Sequence, residues 1–154
     1  MTDQTFKGVA YEGNIMPSTT SSEFQQELLE MTKRILQWLK PRGPGGFDFL
    51  SVNGKPVLID PNVGRFTGAH PAKIFRSLYA PRMPFVCWKI EPNKNLGLLW
   101  DELNTKNIAF TLSSSRRTGV FPLCYLQGMW GMLIAFGRNK EELMRLRAQA
   151  EECL

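Results

Sequence analysis

The sequence predicts an α+β fold, an antiparallel sheet with helices packed on it. Three observations point there. Apolar residues recur at helical spacing from Phe24 to Leu39. Two strand-like runs, Phe47 to Val52 and Pro56 to Asp60, are joined by Asn53-Gly54, the residue pair that supplies the positive φ angles of a tight hairpin turn. The remaining segments mix helix and strand in hairpin-like order, without the regular strand–helix–strand units of a parallel sheet.

Taken in order, Phe6 to Tyr11 reads as a strand that breaks at Gly13-Asn14 and Pro17. Thr20 followed by Glu23 fits a capping box, and Phe24, Leu28, Met31, Ile35, Trp38 and Leu39 then form one apolar stripe, read as core packing. Pro41, Gly43 and Pro44 stop that helix. After the Asn53-Gly54 hairpin the chain is irregular through Asn62, Gly64 and Gly68, and Pro71 opens a helix over 72–79. Phe85 to Ile90 is a strand, Leu96 to Leu103 a short helix and Ile108 to Leu112 a further strand. Residues 113–117 are a polar loop, and Val120 to Tyr125 and Met129 to Phe136 form an antiparallel pair. Asn139 caps the last helix, with Glu142 three residues on and Leu143, Leu146 and Ala150 on one face. No repeat or low-complexity stretch interrupts the chain.

Composition narrows the function. A length of 154 residues with 43% hydrophobic content buries a core without disulfide staples. No apolar run approaches the roughly 20 residues of a membrane span. The start, MTDQTFKG, lacks a secretory h-region, and three cysteines without CxxC spacing fit a reducing compartment, so a cytoplasmic location is expected. Cys87 and Cys124 lie in apolar runs and read as core thiols, whereas Cys153 sits near a terminus where oxidation is open to it. A single histidine excludes a multi-imidazole zinc site. The net charge of +5 is scattered, with Lys33-Arg34 and Arg116-Arg117 the only adjacent basic pairs, so dedicated nucleic-acid binding is not expected.

Residues 45–75, GGFDFLSVNGKPVLIDPNVGRFTGAHPAKIF, carry the chemistry. Asp48 and Asp60 place two hard oxygen ligands on neighbouring strands, and Asn62 returns to the Asp60 side two residues later. Carboxylate and amide oxygens at this density suit Mg²⁺, and Arg65 offers a guanidinium fork to phosphates. A strict two-residue turn would set Asp48 opposite Ile59, with Asp48 and Asp60 on opposite faces. A three-residue loop bulged at Gly54 is therefore expected if both carboxylates share a metal.

Asp48, Asp60-Pro61-Asn62 and Arg65, on a hairpin closed by NGKP, resemble the end of the ATP-grasp fold, and RFTGAHPAKIF resembles the segment that follows in ATP-grasp carboxylate–amine ligases, including peptide ligases. The resemblance covers residues 6–80, here taken as a C-terminal ATP-grasp-like subdomain over 1–80, with 81–154 a small α+β subdomain behind it. It implies Asp48, Asp60 and Asn62 as Mg²⁺ ligands, Arg65 and Lys73 as contacts to ATP, and His70 or Lys73 facing the acceptor, with Arg65 and His70 in catalytic roles. Small-molecule carboxylates and amines (or thiols) are the implied substrates. Aspartate replaces the more usual glutamate at position 60, and Gly64 adds a residue before Arg65.

That family clamps ATP between two subdomains, and the phosphate-binding lysines and glycine-rich lid of its amino-terminal half find no place in this sequence. Phosphoryl transfer needs charge neutralised from both sides of the nucleotide. The expectation is therefore a partial ligase, inactive until an amino-terminal half or partner chain completes it, with self-association left open. The alternative is a non-catalytic α+β module that kept the hairpin as scaffold and offers Trp88, Trp100 and Trp130 to a protein partner. The plain reading of Asp48 and Asp60 is a pair of solvated strand-end carboxylates, that of His70 is a helix-start residue, and that of Arg116-Arg117 is a solvated loop.

Overall fold

A computed structural model describes residues 1–8, 10–64, 69–112 and 117–154. The expected α+β class is what it shows. The elements are β1 (Asp3–Lys7), β2 (Ala10–Met16), α1 (Ser22–Leu39), β3 (Gly45–Val52), β4 (Lys55–Val63), α2 (Ala69–Tyr79), β5 (Phe85–Ile90), α3 (Leu96–Thr105), β6 (Gly119–Leu126), β7 (Trp130–Phe136) and α4 (Lys140–Glu151). A five-stranded antiparallel sheet runs in the order β1-β2-β5-β7-β6, and β3 and β4 form a separate hairpin. The sheet takes β1 and β2 from before residue 80 and the other three strands from after it.

β5 explains the layering. Its residues FVCWKI are buried at every position but Lys89, the mark of a central strand covered on both faces. Val86, Trp88 and Ile90 point to the side closed by Leu99 and Leu103 of α3 and by Leu143, Leu146 and Ala150 of α4. Phe85 and Cys87 point to the other side, under Ala72 and Phe75 of α2. Phe75 stacks on Phe121 at 4.6 Å and on Phe136 at 5.9 Å, which pins α2 across the sheet.

Several local expectations are corrected. The first strand is a hairpin of two, turning at Gly8, and β2 runs straight through Gly13-Asn14. Gly13 is a close approach rather than a break: a Cβ there would stand 1.9 Å from the carbonyl oxygen of Cys87 on β5. Ser21, not Thr20, caps α1, accepting from the Phe24 amide at 3.2 Å. Residues 108–112 form no strand beyond a single bridge from Ala109 to Val120. Cys153 is buried, and its thiol donates to the carbonyl of Gln149.

The largest departure is α1. None of its residues is buried, and Trp38, read as core, is 81% exposed. The stripe Phe24, Leu28, Met31 and Ile35 is half-buried where the helix meets β4, while Leu29, Leu36, Trp38 and Leu39 face away. The amphipathic signal was real, but a two-stranded hairpin is too small to cover a whole helix. Among the described residues no helix is long and apolar enough to cross a membrane.

Candidate functional site

The β3–β4 turn is the strict two-residue form: Val52 pairs with Lys55, and Asn53 and Gly54 have φ of 51° and 76°. The expected three-residue loop is absent. The parity change comes from a bulge inside β4. Phe49 pairs with Leu58 and Asp48 with Asp60, so Ile59 is the extra residue. Asp48 and Asp60 therefore stand directly opposite each other on one face, as a shared site requires.

Asn62, two residues beyond Asp60, lies on the same face and is 7% exposed. Its amide nitrogen donates to Asp48 Oδ2 at 3.2 Å and to Asp60 Oδ2 at 3.0 Å. One amide thus bridges the two carboxyl groups through its two N–H protons. Two carboxylates and an amide that can turn its own oxygen inward match the hard-oxygen donor set of Mg²⁺. Among the described residues no group of three His, Cys, Asp or Glu side chains converges on one point, so the amide is needed to complete such a set.

The N-terminal end of α2 closes one side. His70 Nε2 lies 3.0 Å from the carbonyl oxygen of Gly45, which only accepts, so Nε2 carries the proton and ties α2 to the base of the hairpin. Lys73, one turn on, is half-buried. Burial pushes its ammonium below the ordinary lysine value, against the opposing pull of Cys87 and Asp48. Arg65, Gly68 and the first of the Arg116-Arg117 pair lie outside the described residues, while Arg117 is exposed.

Three further side chains, on β2 and β5, form a connected group of their own. Asn14, 4% exposed, sits opposite Cys87 across the β2–β5 pairing and accepts from the Tyr11 hydroxyl at 2.5 Å. Burial raises the Tyr11 phenol above its usual value, and Cys87 and Asp48 add to the shift. Burial pushes the Cys87 thiol up to about 11, so it is a neutral thiol at physiological pH. No spacing in the sequence links Asn14 to Cys87; only the sheet pairing does. Of the tryptophans offered to a partner, Trp88 is 1% exposed and under the Arg147 guanidinium, Trp100 is half-buried, and Trp130 is 48% exposed. A shallow groove of about 350 Å³ beside Ile74, Leu78 and Leu123 is apolar and carries no charged side chain.

No family model and no curated protein sequence matches the chain. Among solved structures it is similar to the crystal structure of the phosphoribosylaminoimidazole carboxylase ATPase subunit from Aquifex aeolicus, with a TM-score of 0.60 and 16% identity, over 99% of this chain and 50% of that one. That subunit is an ATP-grasp protein. The fold here is ATP-grasp-like. The likeness spans half the length of the Aquifex subunit and, at this identity, speaks of fold alone.

Proposed function

We propose that this chain is the metal-facing half of an ATP-grasp-like, ATP- and Mg²⁺-dependent carboxylate–amine (or thiol) ligase. The observation that carries the reading is the Asp48–Asn62–Asp60 cradle on a hairpin of an ATP-grasp-like fold. Asp48, Asp60 and Asn62 would hold Mg²⁺, which when bound neutralises phosphate charge and fixes the nucleotide's orientation. Lys73 and Arg65 would face phosphate oxygens, and His70 would keep the helix that bears Lys73 against the hairpin. In the chemistry the resemblance implies, a carboxylate oxygen attacks the γ-phosphorus and ADP leaves. The amine nitrogen then attacks the acyl carbon, losing a proton as inorganic phosphate departs.

This chain spans half of the Aquifex subunit it resembles. The complementary phosphate-binding half would come from a partner chain or a longer polypeptide. The test is calorimetric titration of Mg-ATP into this chain and its Asp60→Ala variant, with turnover assayed alongside. Weak magnesium-dependent binding that the variant loses, without ligase turnover, is the supporting result. Robust ATP turnover by this chain alone contradicts the half-site.

A second reading is favoured by the exposed apolar side of α1 and the hairpin, where Leu36, Trp38, Leu39, Val57 and Ile59 face solvent. A non-catalytic module that docks a protein through this side would show neither magnesium-dependent nucleotide binding nor sensitivity to Asp60→Ala.

A further inference from the structure

The five-stranded sheet has two edges, and they differ in how they are protected. At β6 the chain from Ile108 to Phe110 lies alongside: the Val120 amide donates to the Ile108 carbonyl at 2.7 Å, and its carbonyl accepts from the Phe110 amide at 2.8 Å. Pro122 then has no amide to offer, and Leu123 is the extra residue of a bulge. β1, the other edge, has none of these devices. Its outer side pairs with no strand among the described residues, and Gln4, Phe6 and Lys7 are exposed. The extra residue in its pairing with β2 is Glu12, on β2, so β1 itself carries no bulge.

β1 is complementary to itself. It reads Asp3-Gln4-Thr5-Phe6-Lys7, with an acid at one end and a base at the other. When two copies lie antiparallel about a two-fold axis through Thr5, Asp3 of each faces Lys7 of the other, and Gln4 faces Phe6. The Asp3 carboxylate is already held in place. The Ser18 hydroxyl donates to Oδ1, and the Thr19 amide and hydroxyl donate to Oδ2 at 2.6 and 2.7 Å, which leaves a lone pair on Oδ1. Lys7 pairs with no acid among the described residues. The Thr5 hydroxyl is buried without a hydrogen-bond partner in the single chain. A turn about χ1 brings it to its counterpart on the axis, a pairing that threonines make across strands. The hairpin edges lack this match. Asp48 is the one charged residue of β3, so self-pairing offers it no cation, and β4 is interrupted by Pro56 and Pro61.

We propose that β1 is a homodimer interface, at which two copies of this chain join edge to edge and their sheets become one continuous antiparallel sheet. A five-residue edge buries less than the ~1,200 Å² of a standard stable interface, so the dimer is weak and depends on concentration. It does not rest on the ligase reading, because none of the residues assigned to metal or nucleotide takes part.

The experiment is sedimentation equilibrium of the full chain over a range of concentrations, with oxidative trapping alongside. A reversible monomer–dimer equilibrium is expected. Lys7→Glu sets like charges opposite each other at both ends and should weaken it about tenfold or more, whereas Lys7→Arg keeps it. Thr5→Cys places a cysteine on the axis and should give a disulfide-linked dimer under mild oxidant. Gln4→Cys, out of register with its own counterpart, and the unmodified chain with its three free cysteines should not. Monomer at every concentration, a dimer that Lys7→Glu leaves unchanged, or a folded Thr5→Cys trapped no more readily than Gln4→Cys overturns the β1 pairing.

Discussion

Asp48 and Asp60 face each other directly across the β3–β4 hairpin, and the amide of Asn62 donates to one oxygen of each. Like charges placed opposite each other on a sheet are destabilising, by roughly 0.2–1 kcal/mol for such a pair. Asp60→Asn is therefore expected to raise the melting temperature of the metal-free protein slightly. It is also expected to abolish the further rise that Mg²⁺ produces in the unmodified chain. Thermal melts with and without Mg²⁺ check both signs, and a variant that melts lower without metal would show that the carboxylates stabilise the hairpin for another reason.

Asn62 links the pair. Asn62→Ala leaves two carboxylates facing each other with the bridging donor gone, at an expected cost of about 1–3 kcal/mol. Denaturant unfolding reads this as a lower midpoint at unchanged slope. The same loss should shrink in Asn62→Ala combined with Asp60→Asn, because the repulsion that the amide relieves is then absent.

The pairing of Asp48 with Asp60 was legible in the sequence only in part. Asn53-Gly54 announced the hairpin, because few residue pairs adopt two successive positive φ angles. The bulge at Ile59 was not legible, since a bulged β-branched residue looks like any strand residue and the extra position is set by packing around the hairpin. Phe85–Ile90 was read to the residue because a strand buried at every position but Lys89 is an almost continuous apolar run. Gly13 misled for the converse reason: a glycine that permits contact with β5 looks, in one dimension, like a breaker. Asn14 meets Cys87 through the β2–β5 register, which no local pattern encodes.

Gly13→Ala places a methyl carbon where the Cys87 carbonyl oxygen stands. Backbone is the obstacle, so the two strands must part at the middle of the sheet. Loss of cooperative unfolding, or a midpoint lowered by more than about 2 kcal/mol, is expected. A variant as stable as the parent would show that β2 and β5 are not paired at this register.

Asp3 holds the start of the chain to the entry of α1. Burial pushes its carboxyl up, but the Ser18 hydroxyl and the amide and hydroxyl of Thr19, at 2.6 and 2.7 Å, outweigh it and hold the carboxyl below its ordinary value. A depressed native pKa stabilises the fold above the unfolded carboxyl value and loses that contribution as pH falls through the native one. The stability difference between the parent and Asp3→Ala should be full at neutral pH. It should decline once the pH drops below about 4, and vanish in stronger acid. Denaturant midpoints measured from pH 7 downward give the profile, and a difference that grows with acidity would refute it.

Trp38, 81% exposed on a helix with no buried residue, contributes little to the stability of this chain. Trp38→Glu is expected to change the unfolding midpoint by no more than about 0.5 kcal/mol while lowering self-association by light scattering. A large destabilisation would mean that the outer side of α1 is covered within the chain after all.

The most direct measurement of the metal-facing reading is paramagnetic broadening by Mn²⁺, standing in for Mg²⁺, in the amide spectrum of the full chain. It registers weak binding that calorimetry of a half-site can miss. Broadening centred on Asp48, Asp60 and Asn62, and lost in Asp60→Asn, is the expected result. Broadening centred instead on the carboxylates of α4, or unchanged by Asp60→Asn, would contradict a divalent-cation site on this hairpin.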